Sequence, residues 1–133
     1  MFGLLISTGS PAQNHDLVVK LNGIRNGAGD LRASLYQDPE SFRKEEKALA
    51  IVSIPASRSE TTLTFKEVPT GRYAIMVYHD ENSDGRLNLR LDMFPTEGYG
   101  LSRNPTVFGP PRFVDSAFEH GEPGHVEEIT LKY

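Results

Sequence analysis

The residues best suited to chemistry in this chain fall in one run, Asp80-Glu81-Asn82-Ser83-Asp84-Gly85-Arg86-Leu87-Asn88-Leu89-Arg90-Leu91-Asp92. It reads D-x-N-x-D-G-x-L-N. Oxygen donors stand at relative positions 1, 3, 5 and 9, namely Asp80, Asn82, Asp84 and Asn88. Gly85 stands at position 6, where a curled loop turns sharply, and Arg86 at position 7 offers its backbone carbonyl. Calcium is a hard cation that takes roughly six to eight oxygen ligands, and alternate donors in a curled loop meet that demand. Leu87 would point inward and anchor the loop. A bidentate Glu is usual at position 12, but Leu91 stands there. Asp92, one residue on, or Glu97, folding back, would complete the shell. Asp, Asn and Gly also build Asx turns without a metal. Five matching positions favour the ion, bound weakly, in the regime of extracellular calcium.

After this run comes Pro95-Thr96-Glu97-Gly98-Tyr99-Gly100-Leu101-Ser102-Arg103-Asn104, in which two glycines flank Tyr99. Glycines there permit positive φ or a close backbone approach. Tyr99 is either a core plug with its hydroxyl bonded or an aromatic that stacks on a ligand. Together with Arg103 it would form the rim of the loop.

Catalytic arrangements are poorly represented. Ser102, in G-L-S-R-N, is not in a nucleophile elbow. His15, His79, His120 and His125 show no paired spacing for zinc. His79 beside Asp80 invites an acid–base reading, although a lone His at a strand end more often serves as a hydrogen-bonding spacer. Asp80 with Asp84 or Glu97 could imitate the carboxylate pair of a glycosidase, but cation ligation accounts for the same residues more simply. The G-A-G at residues 27–29 lacks the lysine and the following helix of a phosphate loop.

Composition narrows the field further. The 133 residues contain no cysteine, which removes disulfides, thiolate catalysis and Cys-ligated zinc. The net charge is −4 with basic residues scattered, so the footprint of a nucleic-acid binder is missing. No apolar stretch approaches the length needed to span a bilayer as a helix. Residues 1–15 form a short apolar start followed by small residues, and are expected to be a disordered leader or the remnant of a signal peptide.

The elements that must position these groups have a period of two. Leu17, Val19 and Leu21 alternate with polar or outward positions, as do Leu31, Ala33 and Leu35, then Leu63 and Phe65, and finally Ile129, Leu131 and Tyr133. This is the pattern of antiparallel strands with one wet face. Leu49–Ile54 and Tyr73–Tyr78 are apolar on both faces and are expected to be central or well-covered strands. The Asn- and Gly-rich stretch over residues 22–30 predicts a hairpin joining the first two strands. Asp38 and Pro39 predict a short helix over residues 39–46 with Phe42 inward. A weaker strand is expected near Phe113–Phe118. Twelve Gly and nine Pro suit such a turn-rich chain. The expectation is one all-β domain over residues 16–133: an antiparallel β-sandwich, Ig-like or prealbumin-like, of six to eight strands with one short helix and a long 80–111 loop.

The joint order of several segments is more specific than any of them alone. These are Leu31–Tyr36, Val68-Pro69-Thr70-Gly71-Arg72-Tyr73-Ala74, His79 to Gly85, Pro95 to Ser102, and Gly109-Pro110-Pro111-Arg112-Phe113. In this order they closely resemble the bacterial domain of unknown function DUF2141, over about residues 16–133. Members of that family usually carry a signal peptide, so the resemblance implies export to the periplasm or envelope. This chain departs in its short N-terminus and in Met93-Phe94, where a Gly and an aliphatic residue are expected. A looser similarity links P-x-G-x-Y-x-hydrophobic to transthyretin-like and carboxypeptidase-regulatory-like sandwiches, and implies the fold alone.

The expected function is a periplasmic or secreted, non-enzymatic module that binds calcium through the 80–92 loop and docks an envelope protein or a glycan, without spanning the membrane. Two alternatives stand beside it: a hydrolase using carboxylates of residues 80–97, and a small-molecule carrier with an apolar pocket between the sheets.

Overall fold

The computed structural model describes residues 14–83, 89–90, 94–95, 98–106 and 109–133. Its strands are β1 (Asn14–Ile24), β2 (Asp30–Tyr36), β3 (Ala50–Pro55), β4 (Ser59–Pro69), β5 (Gly71–Asp80), β6 (Leu89–Arg90), β7 (Phe94–Pro95), β8 (Tyr99–Leu101), β9 (Phe118–His120) and β10 (Val126–Thr130). A single helical turn, α1 (Phe113–Ser116), precedes β9. Of the expected leader over residues 1–15, residues 1–13 lie outside the described residues, while Asn14 and His15 open β1.

Two sheets make an all-β sandwich. The smaller has the order β10-β1-β4; the larger runs β3-β2-β5-β8, with β9 also paired to β5, and β6 pairs with β7. Alternation fixes which side chains face inward. Leu17, Val19 and Leu21 of β1, Leu63 and Phe65 of β4 and Ile129 of β10 meet Leu31, Ala33 and Leu35 of β2 and Ile75 and Val77 of β5, all buried. Large-to-small substitutions at such positions typically cost about 2–5 kcal/mol.

The double-faced apolar character of β5 has a specific cause. Its odd residues join the inter-sheet core, while Ala74 and Met76 face a second cluster with Tyr36, Phe42, Leu101 and Phe113. Phe42 packs edge-on against both Tyr36 and Phe113. This outer cluster covers the far face of the larger sheet and makes β5 a central strand, as its composition suggests.

Several elements differ from the sequence expectation. β1 and β2 do not form a hairpin: β1 pairs with β4 and β10, and β2 with β3 and β5, so the chain changes sheets between them. β10 runs parallel to β1 within an otherwise antiparallel arrangement. The strand starting at Ala50 is an edge strand with alternate residues exposed, not a central one. The expected helix over residues 39–46 is instead a turn followed by a 3-10 turn at Glu45–Lys47. Asp38 accepts from Ser41 N at 2.8 Å, as a cap would, but Arg43 then takes φ 69°, which a continuing helix does not allow. The segment expected to be a strand at Phe113–Phe118 begins as α1 and becomes a strand only at Phe118. The long 80–111 connection contains a strand of the larger sheet, β8.

Candidate functional site

β5 delivers His79 and Asp80, both buried, to the point where the chain leaves the sheet. Register with β2 sets Leu31 opposite His79 and Asp30 opposite Asp80. Directly opposed residues on antiparallel strands share a face, and two carboxylates so placed repel each other unless something cationic or hydrogen-bonding lies between them. Arg32 occupies the same outward face of β2, its guanidinium tied to Glu45 at 2.8 Å. The chain then turns back over the sheet end. Glu81 N donates to His79 O at 3.0 Å, Ser83 N donates to Asp80 O at 3.1 Å, and Ser83 takes φ 55°. The Ser83 hydroxyl donates to Asp30 Oδ2 at 3.2 Å. Gly29 passes so close beneath that a Cβ there would collide with the Asp80 carbonyl, and its φ of 66° also excludes ordinary side chains.

A polar network anchors this turn. Glu81 accepts from Arg25 Nη2 at 2.6 Å and from Asn26 Nδ2 at 2.8 Å. The hydrogen bond from Asn26, reinforced by Arg25, holds the Glu81 carboxyl below its ordinary range. The Arg25 guanidinium lies 4.4 Å over the ring of Tyr133. The Tyr133 hydroxyl lies 2.7 Å from His79 Nδ1, and His79 Nε2 lies 2.6 Å from the Ala28 carbonyl. A carbonyl only accepts, so His79 carries its proton on Nε2 and its Nδ1 accepts from Tyr133. His79 is thus the hydrogen-bonding spacer at a strand end.

Of the expected ligands, Asp80 is buried at the root of the loop and Asn82 is exposed in the turn that follows. Asp84, Arg86, Asn88, Asp92 and Glu97 lie outside the described residues. Among the described residues, no three His, Asp or Glu side chains converge on one point. Tyr99 is half-buried in β8 against the outer cluster. Its backbone pairs with that of Lys132 through bonds of 3.0 and 2.8 Å. It also lines a small cleft of about 150 Å³ with Asn104, Pro105 and Lys132. Arg103 is exposed with φ 69° in the turn closed by Asn104 N donating to Leu101 O. Ser102 is fully buried and bridges the Ile75 amide and the Ser116 carbonyl.

Sequence reasoning missed Asp30, whose role depends on register, and Arg25, Asn26 and Tyr133, which arrive from distant segments. It also missed a histidine pair. His120 and His125 have no metal-type spacing in the sequence. A turn closed by His125 N donating to Glu122 O, with Gly124 at φ 80°, nevertheless brings their Nδ1 atoms to 3.1 Å.

Among the described residues, no helix is long and apolar enough to cross a membrane. No curated protein and no solved structure matches the chain. The family of uncharacterized proteins conserved in bacteria, DUF2141, matches residues 19–127, and the chain belongs to that family.

Proposed function

We propose that the chain is an exported, non-catalytic β-sandwich module that binds calcium at the tip of its larger sheet. Asp80, Asn82, Asp84, the Arg86 carbonyl and Asn88 supply oxygens, and Asp92 or Glu97 completes the shell. The ordered loop presents Tyr99 and Arg103 to an envelope protein or a glycan. The observation that carries this reading is the placement of Asp80: its carboxylate is buried opposite that of Asp30 where the D-x-N-x-D-G run begins. The Arg32 guanidinium on the same face already interacts with Asp80, and the second carboxylate opposite adds negative charge that favours a further cation at the loop. Arg25 and Asn26 hold the Glu81 carboxylate, which stands at a position of the motif that supplies no ligand. Export is supported by the family resemblance.

Calorimetric titration with calcium, paired with melting in calcium and in chelator, tests the proposal. Binding to the folded state alone stabilises it by about 2.7 kcal/mol when free calcium is 100-fold above Kd. Identical melting curves in calcium and in chelator would rule out the calcium site.

The carrier reading draws on one observation, an apolar cleft of about 340 Å³ lined by Leu35, Leu49, Val52 and Phe65 among others. Native mass spectrometry of the purified chain, searching for a bound small molecule, decides between a carrier and a module without a stored ligand.

A further inference from the structure

We propose a second metal site, for a first-row transition-metal cation, at His120 and His125. It lies at the opposite end of β5 from the calcium loop. His120 pairs with Gly71, the first residue of β5, and the two ends of that ten-residue strand are roughly 30 Å apart. The two sites are therefore separate.

The argument begins with the hydrogens. His120 Nε2 lies 3.1 Å from the His15 carbonyl, and His125 Nε2 lies 2.8 Å from Glu127 Oε2. A carbonyl and a carboxylate only accept, so each ring places its N–H on Nε2. Neutral imidazole carries one such hydrogen. Both Nδ1 atoms are then lone pairs, and they face each other at 3.1 Å. Such an approach is closed either by a third proton held between the rings or by a metal cation bound to both nitrogens.

The spacing suits a metal. Nitrogens bound to one ion at ~2.0 Å sit about 2.8 Å apart at a right angle and about 3.3 Å apart at the tetrahedral angle; the observed separation falls between these. The backs of the rings carry the arrangement expected of metal-bound histidines. Each donates its remaining N–H to a carbonyl or a carboxylate, which fixes ring orientation and raises ligand basicity. The rings are also held by packing: Tyr73 meets His120 edge-on, and Phe118 meets His125 edge-on. His120 and Glu127 are buried, while His125 keeps 17% of its side chain exposed.

The pair opens on a cleft of about 520 Å³ walled by Thr70, Glu119, Glu122 and Pro123. Two protein nitrogens leave further coordination positions to water or to an anionic ligand entering this cleft. Imidazole ligands suit copper, zinc and nickel, and copper(II) binds most tightly of these. Glu127 is a positioning residue: it acts on the ion only through the His125 ring.

The test is titration of the full chain with Cu²⁺ alone and Zn²⁺ alone, read by calorimetry, by electron paramagnetic resonance for Cu²⁺, and by NMR of the imidazole nitrogens for Zn²⁺. Expected are one equivalent bound, nitrogen coupling from two imidazoles, and shifts of both the His120 and His125 Nδ1 resonances. His125→Asn should abolish the site. Glu127→Gln should keep the stoichiometry and weaken affinity about 10-fold or more. Unmoved Nδ1 resonances in the wild-type chain would overturn the proposal without relying on any variant's folding, and would leave a shared proton as the bridging cation. Affinity unchanged in His125→Asn would overturn it as well. Calcium binding at the loop is read separately, so either site can fail without the other.

Discussion

Nδ1 of His79 lies 2.7 Å from the hydroxyl of Tyr133, joining the end of the central strand to the last residue of the chain. The two are 54 residues apart, and the contact closes the sandwich beside the proposed calcium loop. Tyr133→Phe removes the donor and leaves the buried His79 nitrogen without it. The expected cost is about 1–3 kcal/mol, the usual penalty for stranding a buried polar group. Urea denaturation of the two proteins, with equal slopes, measures it. Replacing both residues by apolar ones of similar shape should cost less than the sum of the single changes, which a double-mutant cycle reports.

Glu81 gives a pH signature. Its carboxyl titrates below its ordinary value of 4.5 because Asn26 and Arg25 favour the charged form. A depressed folded-state value means that the charged carboxylate stabilises the fold above the unfolded-state value. That contribution is lost as pH falls from about there through the lower folded-state value. Glu81→Gln lacks this dependence. The stability difference between wild type and Glu81→Gln should therefore be constant near neutrality and shrink on acidification below about pH 4.5. A difference that holds steady down to the acid limit would show that the Arg25–Glu81 pair does not govern the loop root.

Opposed carboxylates predict a sign change. In chelator, Asp30→Asn relieves repulsion across the Asp30–Asp80 pair and should leave melting unchanged or slightly raised. In calcium, the same substitution removes negative charge near the ion and should reduce the calcium-induced rise in melting temperature. Asp80→Asn and Asp84→Asn, which alter the proposed ligands directly, should reduce that rise more. Thermal melts of the four proteins in both buffers compare these effects. Asp30→Asn lowering stability equally in both buffers would argue against a cation beside the pair.

The sequence was most informative where one physical rule acts alone. Alternation at Leu17–Leu21 and Leu31–Leu35 places the correct side chains in the core, because the strand period does not depend on which strand lies alongside. The same alternation says nothing about partners: a hairpin of the first two strands fits it, yet they belong to different sheets. The apolar content of Leu49–Ile54 suggests a central strand, yet β3 is an edge strand with Ile51 exposed, as is Leu49 just before it. The spacing of the Asp80 run is local and so can be read from sequence, although most of it lies outside the described residues. Asp30, Tyr133 and the His120–His125 pair were not, because each contact depends on register or on a turn that only the assembled sheets define. Asp38 does accept from Ser41 N, but it closes a turn and caps no helix, and the positive φ at Arg43 has no strong sequence signal.

Two buried serines provide the sharpest contrast for mutagenesis. The Ser102 hydroxyl accepts from Ile75 N at 2.9 Å and donates to Ser116 O at 2.6 Å, tying the central strand to α1. Ser102→Ala leaves a buried amide and a buried carbonyl without that partner, and should destabilise the fold by about 1–3 kcal/mol. Ser116 is equally buried, but its hydroxyl has no hydrogen-bond partner among the described residues. Such a hydroxyl has lost its water without replacement, so removing it carries no hydrogen-bond penalty. Ser116→Ala also places the best helix former in α1. It should therefore be neutral or stabilising by up to about 1 kcal/mol. Chemical denaturation of both variants compares them directly. A Ser116→Ala loss as large as that of Ser102→Ala would mean that the Ser116 hydroxyl, too, is bonded in the folded protein.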